Sequence, residues 1–194
     1  MSKYGWVDEC NILLEQVSTL SNSQEEVLAT CLNLFKPYEG ELVELIDNLK
    51  GIRDPLRGFV PYGIRKETHE TFKYTYSCTD SAIKSLYTLK KDLKLYVARL
   101  TIPLIISSNN VSATNSEKFK EYEEDLLSVA NKLDILRVLL EDTILKDTKE
   151  QNREVLRVVR KTIKKIINNL CWLTGEIDKN VNEVINSFVA SKVV

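Results

Sequence analysis

EVLRVVRKTIKKIINNLCWLTGEIDKNVNEVINSF, residues 154–188, decides how this chain folds. Its apolar side chains Leu156, Val159, Ile163, Ile166, Leu170, Leu173, Ile177, Val181, Val184 and Phe188 recur at steps of three and four. With 3.6 residues per turn, those steps return each side chain to one face, so the stretch is an amphipathic helix. As one helix over 152–190 it runs roughly 60 Å at the usual rise per residue. A seam that long must be covered by other long elements.

The neighbours are visible upstream. Tyr122, Leu126, Val129, Leu133, Leu136 and Leu140 form a second seam, in a helix expected over 115–146 and capped by Thr114 with Glu117. Continuing its rhythm lands on Asp147, Glu150 and Glu154, acids that do not suit a core. A tight turn near 146–151, with Asp147 and Glu150 as a fresh cap, therefore folds the two helices into an antiparallel pair. Phe72, Tyr76, Thr79, Ile83, Leu86, Leu93, Val97 and Leu100 mark a third long helix over 65–100, ended or kinked by Pro103. The small, polar stretch SSNNVSATNS, 107–116, connects it to the next.

The N-terminal part reads as shorter pieces. Trp6, Cys10, Leu13, Val17 and Leu20 form one seam. Ser23 with Glu26 caps a second helix that Pro37 ends, and a third from Glu39 to Lys50 stops at Gly51. GIRDPLRGFVPYG, 51–63, then holds three of the six glycines and two of the four prolines, the composition of a bend. The expected fold is all-α: an elongated antiparallel helical bundle of about five helices, three of them long. It forms a single domain over 1–194, with short helices in 5–50, a loop at 51–64 and long helices in 65–190. Trp6 and Trp172 fall on seams and are expected to be buried anchors, with a dimer seam as the alternative.

Composition agrees and narrows the function. Hydrophobic residues at 43% and charged residues at 28% suffice for a packed core. The 27 basic residues balance 28 acidic ones, so net charge supplies no general attraction to nucleic acid or membranes. LTIPLII, 100–106, falls far short of the ~20 apolar residues of a membrane-spanning helix. MSKYGWVDECN lacks a basic start followed by an apolar run. Cys10, Cys31, Cys78 and Cys171 form no C-x-x-C pair. These features predict a reduced, intracellular protein of the cytoplasm or nucleus.

Catalytic patterns are missing. The single histidine, His69, has no glycine-flanked serine to activate and no Glu-x-x-His spacing to share with a metal. Neither glycine-rich phosphate motif is present. Glu123 and Glu124 belong to EYEEDLL, a solvated polar run. The expectation is a protein that is not an enzyme, with no cofactor and no metal.

Three stretches offer binding chemistry instead. In NREVLRVVRKTIKK, Arg153, Arg157, Arg160 and Lys164 share one helical face, with Lys161 and Lys165 beside it. Such a stripe either meets an anion or an acidic partner, or pairs internally with the acids of 117–125. Lys84, Lys91, Lys94 and Arg99, with Lys90 adjacent, form a second basic face. The loop adds Arg53, Arg57, Phe59, Val60 and Tyr62, and turn chemistry does not require its aromatic and branched residues. The leading expectation is an adaptor or complex subunit that binds one or more proteins, with a dimer of itself among the options. The alternative is a phosphate-binding module that reads anionic lipid headgroups or nucleic acid through the last helix.

Overall fold

A computed structural model of the chain describes residues 12, 15–57, 65–106, 114–147 and 149–190, with backbone alone for 114–118 and 189. The fold is all-α, and its helices pack antiparallel. Helix α1 spans Asn22–Leu56, α2 Lys66–Ile106, α3 Thr114–Lys146 and α4 Glu150–Ala190. Residue 12 and residues 15–18 are helical, within the first predicted helix, and Leu20 falls just after that turn; Trp6, Cys10 and Leu13 lie outside the described residues. No described helix is long and apolar enough to cross a membrane.

Helix α1 corrects the sequence reading in three ways. Its start is capped by Ser21 and Gln24, not by Ser23 and Glu26. The Ser21 amide donates to Gln24 Oε1 at 3.0 Å, and the Glu25 amide donates to the Ser21 carbonyl at 2.9 Å. This is one half of a capping box, the side chain three positions on meeting the cap residue's amide, two residues earlier than expected. The helix then passes through Pro37 without ending, and through Gly51 as far as Leu56. A proline inside a helix costs ~3 kcal/mol and a glycine ~1. Against that, Leu28, Cys31, Phe35, Tyr38, Leu42, Leu45, Leu49 and Ile52 form one buried seam at steps of three and four. Each buried side chain of that size contributes about 1.5–3 kcal/mol, so continuity of the seam outweighs both breakers. The predicted loop 51–64 therefore begins as helix, and residues 58–64 lie outside the described set.

Helix α2 likewise passes Pro103 and ends one turn later, with Ile102 and Leu104 buried on either side of it. The predicted turn between α3 and α4 is present, but Asp147 behaves differently from the expectation. It is buried, not excluded from the interior. Its Oδ2 accepts from the Thr68 hydroxyl at 2.6 Å and from Asn152 Nδ2 at 3.2 Å, while Oδ1 accepts from the Lys149 amide at 2.8 Å. Burial raises the proton affinity of this carboxyl, but those donors and the nearby Arg65 charge prevail and hold it below its ordinary value.

The chain divides into two compact units. The first gathers the helical segments up to Glu39, from Asp92 to Glu123, and from Glu176 onward. Its centre is aromatic: Phe119 lies 5.6 Å from Phe35, 6.0 Å from Tyr96 and 5.6 Å from Tyr122 between ring centroids. The Tyr38 hydroxyl donates to the Glu176 carbonyl at 3.2 Å and accepts from Asn180.

The second unit gathers Gly40–Lys91 and Glu124–Gly175. Its core is aliphatic, with Leu42, Leu49, Leu86, Leu133, Leu136, Leu140, Leu156, Ile163 and Leu170 fully buried. Thr68, Thr71, Thr75 and Thr79 are buried along one side of α2. The last three donate to carbonyls four residues back, as threonine does within a helix, and Thr71 also meets the Thr143 hydroxyl at 2.9 Å. Of these, the Thr71–Thr143 contact joins α2 to α3, and the Thr68–Asp147 bond joins α2 to the residue after α3.

Candidate functional site

The basic stripe on α4 splits into two halves. Its arginines are paired. Arg153 bonds to Glu150, Arg157 bonds to Glu150 at 2.7 Å and Glu154 at 3.2 Å, and Arg160 reaches across to Glu141 of α3 at 2.8 Å. The partner acids are not those of 117–125. A turn at 147–149 sets residue 160 opposite 141, so the stripe faces the C-terminal end of α3, not its beginning. The Arg157 hydrogen bond is the main reason that the Glu150 carboxyl lies below its ordinary value, with the Arg153 charge adding to it. Exposed pairs of this kind set register more than they stabilise.

The lysines of the stripe are different. Lys161, Lys164 and Lys165 are exposed and have no ion pair among the described residues. The second basic face is largely neutralised. Lys84 pairs with Asp80 at 2.7 Å, Lys94 pairs with Glu39 at 3.6 Å, and Arg99 is buried over the Tyr96 ring at 5.5 Å.

The expected docking residues at the end of α1 also divide. Arg53 bonds Asp54 at 2.7 Å and Asp80 at 3.0 Å, which ties α1 to α2. Arg57 is exposed, in the turn after the helix. Phe59, Val60 and Tyr62 lie outside the described residues.

What the sequence reading missed is a groove next to these residues. In the second unit, α1 and α4 leave an open channel of about 510 Å³. Gly51, Ile52, Pro55 and Leu56 form one wall, and Val155, Val158, Val159 and Thr162 the other. Asp47 and Glu154 stand at its edges. Gly51 adds no side chain to its wall, and a Cβ built there meets no atom within 4 Å, so a side chain at 51 has room to project. Val155 and Val158 lie off the buried seam of α4. They are exposed, Val158 at 58%. The signal was present, because Val155, Val158 and Thr162 repeat at three and four, one residue out of phase with the buried seam. Trp172 belongs to the same outer face and is 53% exposed, so it is no core anchor. It lies beside Leu173, whose place on the seam buries it.

A larger cleft of about 880 Å³ lies between the start of α2 and the end of α3. Its charges are largely spent on each other: Lys146 pairs with Asp142 at 2.6 Å, and Arg65 donates to the Lys146 carbonyl at 2.8 Å. Among the described residues no three His, Cys, Asp or Glu side chains are grouped to hold a metal ion. His69 is half-buried in the first turn of α2, and its amide donates to the Arg65 carbonyl at 3.1 Å.

No family model matches this chain, and neither does any curated protein or solved structure in the comparisons made.

Proposed function

We propose that this chain is a non-catalytic helical-bundle adaptor or complex subunit that holds a helix of a partner in the groove between α1 and α4. One observation carries the reading. Val155 and Val158 are bulky apolar side chains in solvent, lining a channel whose opposite wall is formed by Gly51, Ile52, Pro55 and Leu56. Exposed apolar surface costs free energy in a lone domain, and a groove between two helices accepts the apolar face of a third.

The test separates docking from folding. Gly51→Leu places a side chain in the groove while replacing a helical glycine by a better helix former. The expected result is unchanged or higher stability together with loss of any protein that co-purifies with the wild-type chain at fixed ratio. Retention of that protein by both Gly51→Leu and Val158→Asp would remove the reading.

A second reading, recognition of anionic headgroups or nucleic acid, is favoured by Lys161, Lys164 and Lys165, whose charges no described acid meets. It predicts binding to phosphatidylserine vesicles or to oligonucleotides that weakens with salt and is lost in Lys161→Glu with Lys165→Glu.

A further inference from the structure

The second unit carries another unpartnered apolar surface, and it complements the groove. On α3, Leu127, Ile135, Val138 and Leu145 are exposed, Ile135 at 62% and Leu145 at 80%. At 100° per residue the four fall within a sector of about 80°, so they form one ridge along the outside of the helix. They are not part of the α3 seam, which is buried on Leu126, Val129, Leu133, Leu136 and Leu140. The helix is thus apolar on two faces, and the fold uses one.

Charge distinguishes the ridge from the groove. Residues 124–146 of α3 carry five acids against three bases, whereas residues 150–175 of α4 carry six bases against two acids. The unpaired Lys161 and Lys165 follow Val158 at i+3 and i+7, so they continue the groove's α4 wall on the same face. Asp134, Glu141 and Asp142 are held by Arg137, Arg160 and Lys146, which leaves the exposed Glu124 and Asp125, beside Leu127, as the ridge's unpaired acids among the described residues. A helix so charged fits a channel with apolar walls and a basic extension. Such a helix is already present in the chain.

We infer that the groove receives the α3 ridge of a second copy of this chain, with Ile135 and Val138 seated against Val155 and Val158 and the exposed Glu124 and Asp125 on the side of Lys161 and Lys165. This deepens the docking reading above and rests on it. The contact is heterologous, because groove and ridge are different surfaces. Each copy therefore keeps one free groove or one free ridge after pairing, and association continues beyond a dimer unless the geometry closes a ring.

Sedimentation velocity of the full-length chain over a concentration series tests this. The wild type is expected to gain mass beyond a dimer as concentration rises. Val158→Asp, which spoils the groove, and Ile135→Asp, which spoils the ridge, should each sediment as monomers; Gly51→Leu and Leu145→Asp serve as second variants should either fold poorly. Mixed in equal amounts, a groove variant and a ridge variant should form a dimer that grows no further, since one intact groove meets one intact ridge. Lys161→Glu with Lys165→Glu should weaken association about three- to ten-fold and flatten its salt dependence. A wild-type monomer at every concentration overturns the inference, as does a mixture that stays monomeric. If a different protein then still co-purifies and is lost in Gly51→Leu, docking in the groove stands and only the second copy falls. If neither is seen, both fall.

Discussion

Tyr122 sits fully buried within the aromatic cluster of the first unit, and its hydroxyl reaches no hydrogen-bond partner among the described residues. Burial, with the negative field of Asp92 behind it, pushes this phenol well above its ordinary value, so it stays protonated. An unmet buried hydroxyl costs about 1–3 kcal/mol relative to water, while the ring itself packs well. Tyr122→Phe is therefore expected to leave stability unchanged or raise it by about 1 kcal/mol in urea unfolding. A clear loss would mean that the hydroxyl is bonded. Asp147 is the opposite case, a buried acid with donors on both oxygens. Its folded-state proton affinity is lowered, so the stability it contributes is present above the ordinary carboxylate range. That contribution is lost as pH falls through the folded-state value. Asp147→Ala should cost about 1–3 kcal/mol at neutral pH, by stranding the Thr68 hydroxyl and the Lys149 amide. The gap to wild type should close in acid. A gap independent of pH would contradict this account of the turn.

At the scale of the helix, the decisive competition was between a local breaker and a continuous seam. Gly40 and Gly175 are helical, and neither has an atom within 4 Å of where a Cβ would stand. Alanine at each is expected to stabilise by about 0.5–1 kcal/mol through the helix propensity it restores. Chemical denaturation of the two single variants and their double checks this, and destabilisation would show that the sites are strained or crowded. The same competition explains what was legible in the sequence. The seams of α3 and α4 were readable because burial imposes their period along the whole helix. The ends of α1 were not, because Pro37 and Gly51 are strong local signals whose cost a seam of eight buried residues exceeds. Asp147 was misjudged for a related reason: periodicity sees charge but not the Thr68 and Asn152 side chains that meet it.

At the scale of the whole molecule, function depends on surface that the fold leaves unused. The basic stripe was visible in the sequence, but its division into paired arginines and free lysines required the α3–α4 register, which places Glu141 beside Arg160. The groove was hidden for another reason. Val155 and Val158 look like core residues until the neighbouring seam claims the interior and leaves them outside. Gly51 looked like a stop signal, although the helix runs on through it and it lines the channel instead. The most direct measurement places a photo-crosslinking amino acid at position 158 of the full chain in cells, with position 73 as the exposed control on α2. The account predicts crosslinks from 158 to a helical segment of a protein, absent from 73 and lost when Gly51→Leu is added. Equal labelling from both positions, or labelling of lipid alone, would contradict it.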